Sequence, residues 1–245
     1  MNHFKFSVMI GVGLLMFGVP GQVLESAEPS PMPIQAVIVT GVDWKGHLWK
    51  ETAPALKDIL QTNRQYTVQI KEDPAFLASD ELVKFDLVVL HFKNYEPISQ
   101  EEKAVSNLVN FVREGKGLVV VHFASGAFTN QPAFRQLVAR SQKSRHDKRG
   151  PFNVRITNPD HPVTRGMKDF ATDDELFIDL QGDQPIEVLA VARSNITNQE
   201  HPMAFVQTFG KGRVFHTTLG HDVKALTLPG TSELIRRGAV WAAGR

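Results

Sequence analysis

Histidine residues follow several apolar runs of the kind that form β-strands. In "GLVVVHFASGAF", residues 117–128, His122 ends an uninterrupted apolar run and is followed by small residues. His221 comes just after "RVFHTTLG", and His47 lies in the loop "TGVDWKGHLW" behind an earlier apolar run. An imidazole at such a position can act as a general base, a general acid or a metal ligand. The alternative for His122 is a core histidine that donates to a neighbouring carbonyl.

Other polar residues accompany these imidazoles. Asp43 and Trp44 share the loop of His47, and this combination suits a sugar because carboxylates accept from hydroxyls and an indole stacks on the apolar face of the ring. Asp222 directly follows His221, and "TDDELF", residues 172–177, holds three consecutive carboxylates. His146 lies in the basic stretch "SRHDKRG", for which a solvated loop and a lid over a site both remain open.

Metal binding is a second chemistry open to these residues. His122, His146 and His221, with a carboxylate such as Glu175, would supply the nitrogen and oxygen ligands that zinc or a similar divalent ion accepts. The sequence contains no HxH or HxxxH spacing. Any metal site must therefore be assembled by the fold from distant loops.

Composition limits the remaining options. The chain has 245 residues, 42% of them hydrophobic and 22% charged, which indicates one globular domain with a sizeable core. A formal net charge of +1 gives no general attraction to nucleic acid or to a membrane surface, so we expect neither as a partner. The sequence has no cysteine, which excludes a cysteine nucleophile, thiolate metal ligands and a lipid anchor on cysteine.

The N-terminus has the layout of a secretory signal. Lys5 precedes an apolar run from Phe6 to Val19, and Pro20, Gly21 and a small-residue exit near Ala27 follow it. We predict a signal peptide over residues 1–27, a Pro-rich tether over 28–33 and one domain over 34–245. The mature protein would be periplasmic or secreted and free of the membrane, with an uncleaved N-terminal anchor as the alternative.

The elements that must position the site alternate along the first half of the domain. Apolar runs at 36–40, 66–70 and 85–92 and "LVVVH" are typical of buried parallel strands, and the stretches between them carry apolar residues at helical spacing. Ser99 and Glu102 have the spacing of a capping box at the start of the second helix. From residue 150 onward, strands separated by turns, with a hairpin at Gly210–Gly212, predict an antiparallel extension of the sheet, and a helix ends the chain.

A doubly wound α/β sheet would gather the candidate residues, because ligands bind such sheets outside the carboxyl ends of the strands. Four histidines are predicted at that edge: His47, His91, His122 and His221. His122 would occupy a sharp strand-to-turn elbow, where related folds place a nucleophile. Ser125 lies nearby, but "HFASG" is not the GxSxG of a serine hydrolase, so a serine nucleophile is the weaker option.

Taken together, the motifs resemble one known family. "VTGVDWKGHLW", "DLVVLHF", "GKGLVVVHFASGAF", "GPFNVRITNPDHPVTRGM", "TDDELF" and "FGKGRVFHTTLGHDV" are similar to those of the ThuA-like family, named for trehalose utilisation, from Ile34 to Arg245. This resemblance implies a class I glutamine amidotransferase-like fold: a flavodoxin-like, doubly wound, mostly parallel sheet with an antiparallel extension. It also implies a polar cleft with a sugar-related role, histidine in place of the amidotransferase cysteine at His122, and Glu175 next to the site.

Two functions follow from this resemblance and stay open. In the first, the protein acts on a sugar or keto-sugar as an isomerase, lyase or hydrolase, with His122, His221 and Glu175 as catalytic groups. Asp43, Trp44, His47, His146 and Asp222 would bind the substrate, with or without a divalent metal. In the second, the protein is a non-catalytic carbohydrate-binding or interaction module. A homo-oligomer is compatible with either function, whereas amidotransferase chemistry is excluded by the missing cysteine.

Overall fold

The structure, a computed structural model, describes residues 32–62, 65–142 and 145–245, together with the isolated positions 1, 3 and 5. The predicted signal peptide and most of the predicted tether lie outside the described residues. Residues Met32–Arg245 form one unit by their internal contacts. Within the part of the chain that the structure describes, no helix has the length and apolar character needed to cross a bilayer.

Eleven strands and five α-helices make up the described domain. The strands are β1 (Ile34–Val39), β2 (Tyr66–Lys71), β3 (Leu87–Leu90), β4 (Gly117–Val121), β5 (Ser141–Gln142), β6 (Gly150–Ile156), β7 (Phe170–Asp174), β8 (Leu180–Gln181), β9 (Glu187–Arg193), β10 (Glu200–Phe209) and β11 (Gly212–Thr217). The helices are α1 (Trp49–Gln61), α2 (Glu101–Arg113), α3 (Pro132–Val138), α4 (Val223–Thr227) and α5 (Pro229–Ala242).

One half of the main sheet is parallel, with the strand order β2-β1-β3-β4-β11. This is the flavodoxin-like order, and it confirms the fold class predicted from the sequence. β3 and β4 are buried along their whole length because helices cover both faces of the sheet. Their uninterrupted apolar runs follow from that double coverage.

The two faces of the sheet bury different helices. Ala36 and Ile38 of β1 point to the side of α1 and α5, whereas Val37 and Val39 point to the side of α2 and α3. This alternation follows from the two-residue period of a strand. The connections after β1 and β3 therefore leave the sheet on opposite faces, which opens a crevice between the carboxyl ends of these two strands.

The other half of the sheet is antiparallel and confirms the predicted extension. It continues from β11 through β10, β9 and β6 to β7, while β5 and β8 form a separate small ladder. Gly210 has φ +62° in the tight turn between β10 and β11, as the Gly-Lys-Gly sequence predicts. β11 belongs to both halves, because it pairs antiparallel with β10 and parallel with β4.

The predicted capping box of the second helix is wrong. α2 begins at Glu101, and the preceding cap residue is Gln100, which has φ +55° and makes no side-chain capping bond. The Glu101 carboxylate instead accepts hydrogen bonds from the Ile98 backbone N–H at 3.1 Å and from Asn94 Nδ2 at 3.0 Å. The helix therefore starts two residues later than Ser99, with its first glutamate holding the preceding loop.

Candidate functional site

His122 occupies the elbow at the end of β4. Its φ of +49° lies in the left-handed region, and it starts a short 3₁₀ turn over His122–Gly126. The side chain is fully buried, and its Nδ1 lies 2.6 Å from the Thr218 carbonyl oxygen. Since a carbonyl can only accept, Nδ1 carries a proton, and in the neutral form of the ring Nε2 is the nitrogen that has the lone pair. A carbonyl on one ring nitrogen is the usual arrangement for a histidine whose other nitrogen binds a metal.

Ser125 stabilises the elbow turn from inside. Its hydroxyl is buried and donates to the His122 carbonyl at 2.8 Å, which closes the turn. This hydrogen bond gives Ser125 a role inside the turn rather than at the surface of a cleft. The arrangement does not favour a serine nucleophile.

His221 and Glu175 are brought together by the buried carboxylate of Asp174. Asp174 accepts hydrogen bonds from the backbone N–H groups of Gly220 at 2.7 Å, His221 at 3.2 Å and Glu175 at 2.8 Å. Gly220 adopts φ +116°, a region that favours glycine, so the loop can pass close to this carboxylate. Burial raises the pKa of Asp174, and the three N–H donors partly oppose that effect.

The Glu175 carboxylate faces two imidazoles. Its Oε2 lies 3.6 Å from His122 Nε2 and 3.4 Å from His221 Nδ1. Burial opposes ionisation of Glu175, but its contacts with these histidines outweigh burial and hold the pKa well below its usual range. The pKa of His221 is raised, because Glu175 outweighs the opposing effect of burial. Glu175 is therefore ionised at neutral pH.

His47 completes the arrangement from the loop after β1. Its ring stacks on Phe123 at a centroid distance of 4.3 Å and meets the rings of His122 and His221 edge-on at 5.1 and 4.8 Å. Burial, together with the neighbouring positive charge of His122 and His221, lowers the pKa of His47 to about 3. The imidazole is neutral at physiological pH, which is the form that binds metal ions.

These side chains form one cluster, which we call the His–Glu cluster. Its members are His47, His122, Glu175 and His221. Each member has a potential ligand atom within 4.8 Å of those of the others. Among the described residues, three of its ring nitrogens are buried without a hydrogen-bond partner: Nδ1 of His47, Nε2 of His122 and Nδ1 of His221. Neighbouring ligands in a tetrahedral zinc site are about 3.4 Å apart, given zinc–ligand distances of about 2.05 Å.

A family comparison identifies the type of protein. The family model described as ThuA, trehalose utilisation, matches residues 35–242. The chain belongs to the ThuA family. The sequence-based resemblance is thereby confirmed over nearly the whole described domain.

Solved structures agree with this family assignment at the level of the fold. A ThuA-like protein from Parabacteroides merdae superimposes with a TM-score of 0.77 at 24% identity, covering 86% of this chain and 90% of that one. A ThuA-like protein from Bacteroides uniformis gives 0.69 at 17% identity, with 89% and 94% coverage. A cytoplasmic protein from Salmonella typhimurium gives 0.58 at 13% identity, with 86% and 98% coverage. No curated protein matches the sequence.

The cluster of this ThuA-family chain differs in one position from the metal ligands predicted from sequence. His47, predicted as a substrate-binding residue, lies in the cluster, whereas His146 lies at its rim. His146 Nδ1 is 3.8 Å from Glu175 Oε1, on the side of the carboxylate away from His122 and His221. The rim position arises because His146 pairs with Phe177 in an isolated β-bridge and its Nδ1 lies 2.9 Å from the Asp147 carbonyl.

Other predicted binding residues have structural partners. Asp222 caps α4 by accepting from the Ala225 N–H at 2.8 Å, and its other oxygen pairs with Arg149 at 2.6 Å. Asp43 is largely exposed and accepts from Trp49 Nε1 at 2.7 Å. Both carboxylates are thus engaged within the protein and have less capacity for substrate hydroxyls than the sequence suggested.

Two further histidines lie in the core and do not belong to the cluster. His91 is fully buried beside Thr40, whose hydroxyl donates to the His91 carbonyl at 2.8 Å. His216 is fully buried against Phe205, as the alternation of its strand predicts. Position at a strand end therefore does not by itself bring a histidine into the site.

The sequence offered Asp174 only as one of three adjacent carboxylates, and its role in positioning the site was missed. A signal was present, because Thr172 and Asp174 alternate on β7 and face the interior, whereas Asp173 between them faces out.

We expect Asp174→Asn to lower the free energy of unfolding by about 1–3 kcal/mol, since the new amide N–H₂ would face backbone donors in a buried place. Urea denaturation would measure this loss.

Asp173→Asn is the matched control for this substitution. Asp173 pairs with Lys224 at 2.6 Å and with Arg149 at 3.5 Å at the surface, and exposed ion pairs contribute little. We expect the two neighbouring variants to differ clearly in stability. Equal midpoints of denaturation for both would contradict a positioning role for Asp174.

Proposed function

We propose that this ThuA-family protein binds a divalent transition-metal ion in the His–Glu cluster and uses it in proton-transfer chemistry on a sugar or keto-sugar. One observation carries the proposal: three buried imidazole nitrogens without hydrogen-bond partners and an ionised carboxylate share one small space. Buried polar atoms are normally paired, so unpartnered ring nitrogens that face each other suggest a ligand between them. Imidazole and carboxylate together suit zinc, manganese or nickel.

The surroundings of the cluster fit a catalytic ion better than a purely structural one. His122 is buried, but the other three members are only partly buried, so one side remains accessible. Four protein ligands leave a place for substrate on an ion that accepts five or six, as Mn²⁺ does and as zinc can in an expanded state. A bound ion would polarise a substrate carbonyl and lower the pKa of a bound water.

We assign proton transfer to or from a bound substrate to His146. Its exposed fraction is 36%, and it stands beside Glu175 at the rim. The buried Asp147 carboxylate anchors this loop by accepting from Ser194 Oγ and from the Asn195 N–H, both at 2.6 Å. His122, whose Nδ1–H is held by a carbonyl, then serves as a ligand rather than as the acid or base expected from sequence.

The alternative function, a non-catalytic carbohydrate-binding module, has one observation in its favour. Trp44 and Tyr95 pack on each other at a centroid distance of 4.6 Å, and about half of each side chain is exposed. Exposed aromatic faces beside a polar cleft suit sugar stacking whether or not turnover follows. Turnover, rather than binding, therefore separates the two functions.

Elemental analysis of the purified protein, followed by a turnover screen, tests the proposal. We expect about one divalent ion per chain, and turnover of keto-sugars that a chelator removes and the same ion restores. Metal binding without turnover of any keto-sugar would favour the binding module. A protein that binds no zinc, manganese or nickel at micromolar concentration would contradict the metal proposal.

We further propose, on sequence grounds alone, that the chain is exported through its N-terminal segment. The apolar run between Phe6 and Val19 and the small residues before Glu28 support this proposal. N-terminal sequencing of the protein from a periplasmic or culture fraction should place the first residue near Glu28. An intact Met1 on protein recovered from the cytoplasm would contradict it.

A further inference from the structure

Lys93 lies at the same edge of the sheet as the His–Glu cluster but belongs to no part of it. It follows β3, two residues after His91, whereas the loop of His47 follows the neighbouring strand β1. The crevice between these two strand ends is the point where flavodoxin-like sheets bind their ligands. A lysine at this point is therefore placed to contact whatever occupies the crevice.

The side chain of Lys93 is held in a partly buried position. Its stem crosses the elbow turn closely, because a Cβ placed on Gly126 would lie 2.8 Å from Lys93 Cδ and Cε. Its ammonium lies 5.2 Å from the centroid of the Tyr95 ring. Burial lowers the pKa of Lys93. Among the described residues, no carboxylate lies within 4.0 Å of this ammonium, so none of them forms an ion pair with it.

The first acidic residue of α2, the helix that follows Lys93, is already engaged. Glu101 accepts from Asn94 and from Ile98, and its other oxygen accepts from Gln131 Nε2 at 3.0 Å. Asn94 in turn accepts from the Phe128 N–H at 2.8 Å. These bonds fix the residue between Lys93 and Tyr95, so the loop needs little further ordering when a ligand binds.

An aromatic surface connects Lys93 to the cluster. Tyr95 contacts the ammonium and also packs on Trp44. The backbone of Trp44 pairs with that of His47, whose N–H donates to the Trp44 carbonyl at 3.0 Å. A continuous path therefore runs from the Lys93 ammonium over two half-exposed aromatic rings to a member of the His–Glu cluster.

We propose that Lys93, Tyr95 and Trp44 form a subsite for an anionic group on the substrate, so that the substrate is an acidic sugar. The rings stack on the apolar face of the sugar, and the ammonium pairs with its carboxylate or phosphate. This inference rests on the proposed function in one respect, the presence of a sugar at the cluster. The inference goes beyond the proposed function in two points: the sugar carries a negative charge, and Lys93 selects for that charge.

Calorimetric titration of the metal-loaded protein tests the subsite with three probes: glucuronate, glucose 6-phosphate and glucose. We expect an anionic probe to bind more tightly than glucose. Lys93→Met should weaken that binding by about 10- to 100-fold, the effect of losing a hydrogen bond to a charged group, and should leave glucose binding unchanged. Lys93→Arg should retain most of the affinity.

Lys71→Met is the matched control, because Lys71 lies at the carboxyl end of β2, at the same edge of the parallel sheet. Like Lys93, it is partly buried and its ammonium lies near an aromatic ring, 4.9 Å from the centroid of Phe76. We expect this variant to bind all three probes as the wild type does. A selective loss for glucuronate identifies a sugar acid and a selective loss for glucose 6-phosphate a sugar phosphate; either result supports the subsite.

Two results would overturn the subsite. One is equal binding of anionic and neutral probes by the wild type and by Lys93→Met; the other is no binding of either anionic probe to the metal-loaded wild type. The metal content of each sample separates this failure from failure of the proposed metal function. Matching thermal melting curves for the variants exclude misfolding as the cause of lost binding.

Discussion

Replacing His122 is expected to abolish stoichiometric metal binding. His122 is the one fully buried member of the His–Glu cluster, and its Nε2 faces Glu175 while its Nδ1 is fixed by the Thr218 carbonyl. Loss of a residue that merely orients a ligand weakens metal binding by about 10- to 100-fold. We therefore expect loss of the ligand itself to exceed ~100-fold. Metal titration with a competing chelator measures this change.

The choice of variant matters because of the backbone at this position. His122 has φ +49°, which asparagine tolerates better than alanine does. His122→Asn should therefore keep the elbow, and His122→Ala serves as the second variant. His161→Ala is the control, because that ring packs on Trp241 in a turn outside the cluster. Retention of one bound ion per chain by both His122 variants would contradict the proposed ligand set.

Thermal melting gives the same experiment an independent readout. An ion that binds only the folded state raises the melting temperature by an amount set by its concentration relative to the dissociation constant. We expect added zinc or manganese to stabilise the wild type and the His161→Ala control. The His122 variants should melt at the same temperature with and without the ion.

The second large effect is loss of stability in mild acid. Burial lowers the pKa of His91 and of His216 to about 3, far below the ordinary value of 6.5. Between these values the unfolded chain binds a proton at each histidine and the folded chain does not. The free energy of unfolding therefore falls as the pH falls below 6.5, by about 1.4 kcal/mol per pH unit for each histidine.

Together the two histidines should remove about 3 kcal/mol of stability for each pH unit between roughly 6 and 4. Urea denaturation at pH 7, 6 and 5 measures this slope. His216→Leu removes one titrating group from a fully buried position beside Phe205 and should reduce the slope by about 1.4 kcal/mol per pH unit, the contribution of one histidine. His47, whose pKa is also lowered to about 3, continues to contribute to the slope in this variant. An unchanged slope in this variant would show that His216 does not titrate as its burial implies.

Much of the fold could be predicted from the sequence because the local patterns agree with the global arrangement. The apolar runs of β1, β3 and β4 follow from coverage of both faces, and the glycines between β10 and β11 form the tight turn that their conformational freedom permits. The start of α2 could not be predicted. There a glutamate side chain reaches back to Ile98, and this contact outcompetes the capping box at Ser99.

The candidate site could be predicted only in part. His122, His221 and Glu175 follow strands of the sheet, and that pattern is visible in the sequence. His47 and His146 exchange places relative to expectation, because stacking on Phe123 draws His47 inward while a bridge to Phe177 holds His146 at the rim. Lys93 could not be predicted, since nothing in the sequence distinguishes a lysine that forms no ion pair among the described residues from an ordinary surface lysine.

The sequence by itself determined the family, the alternation of strands and helices in the first half of the domain, and the chemistry that the missing cysteine excludes. These properties depend on residue type and local spacing, which a sequence contains directly. Only the tertiary structure decided which side chains meet, because the members of the His–Glu cluster lie in separate loops, from His47 to His221, and no local pattern relates them. The parallel half of the sheet brings the loops of the three histidines to one edge, whereas Glu175 follows β7 of the antiparallel half. Stacking on Phe123 and the hydrogen bonds of Asp174 then fix the final distances between these side chains.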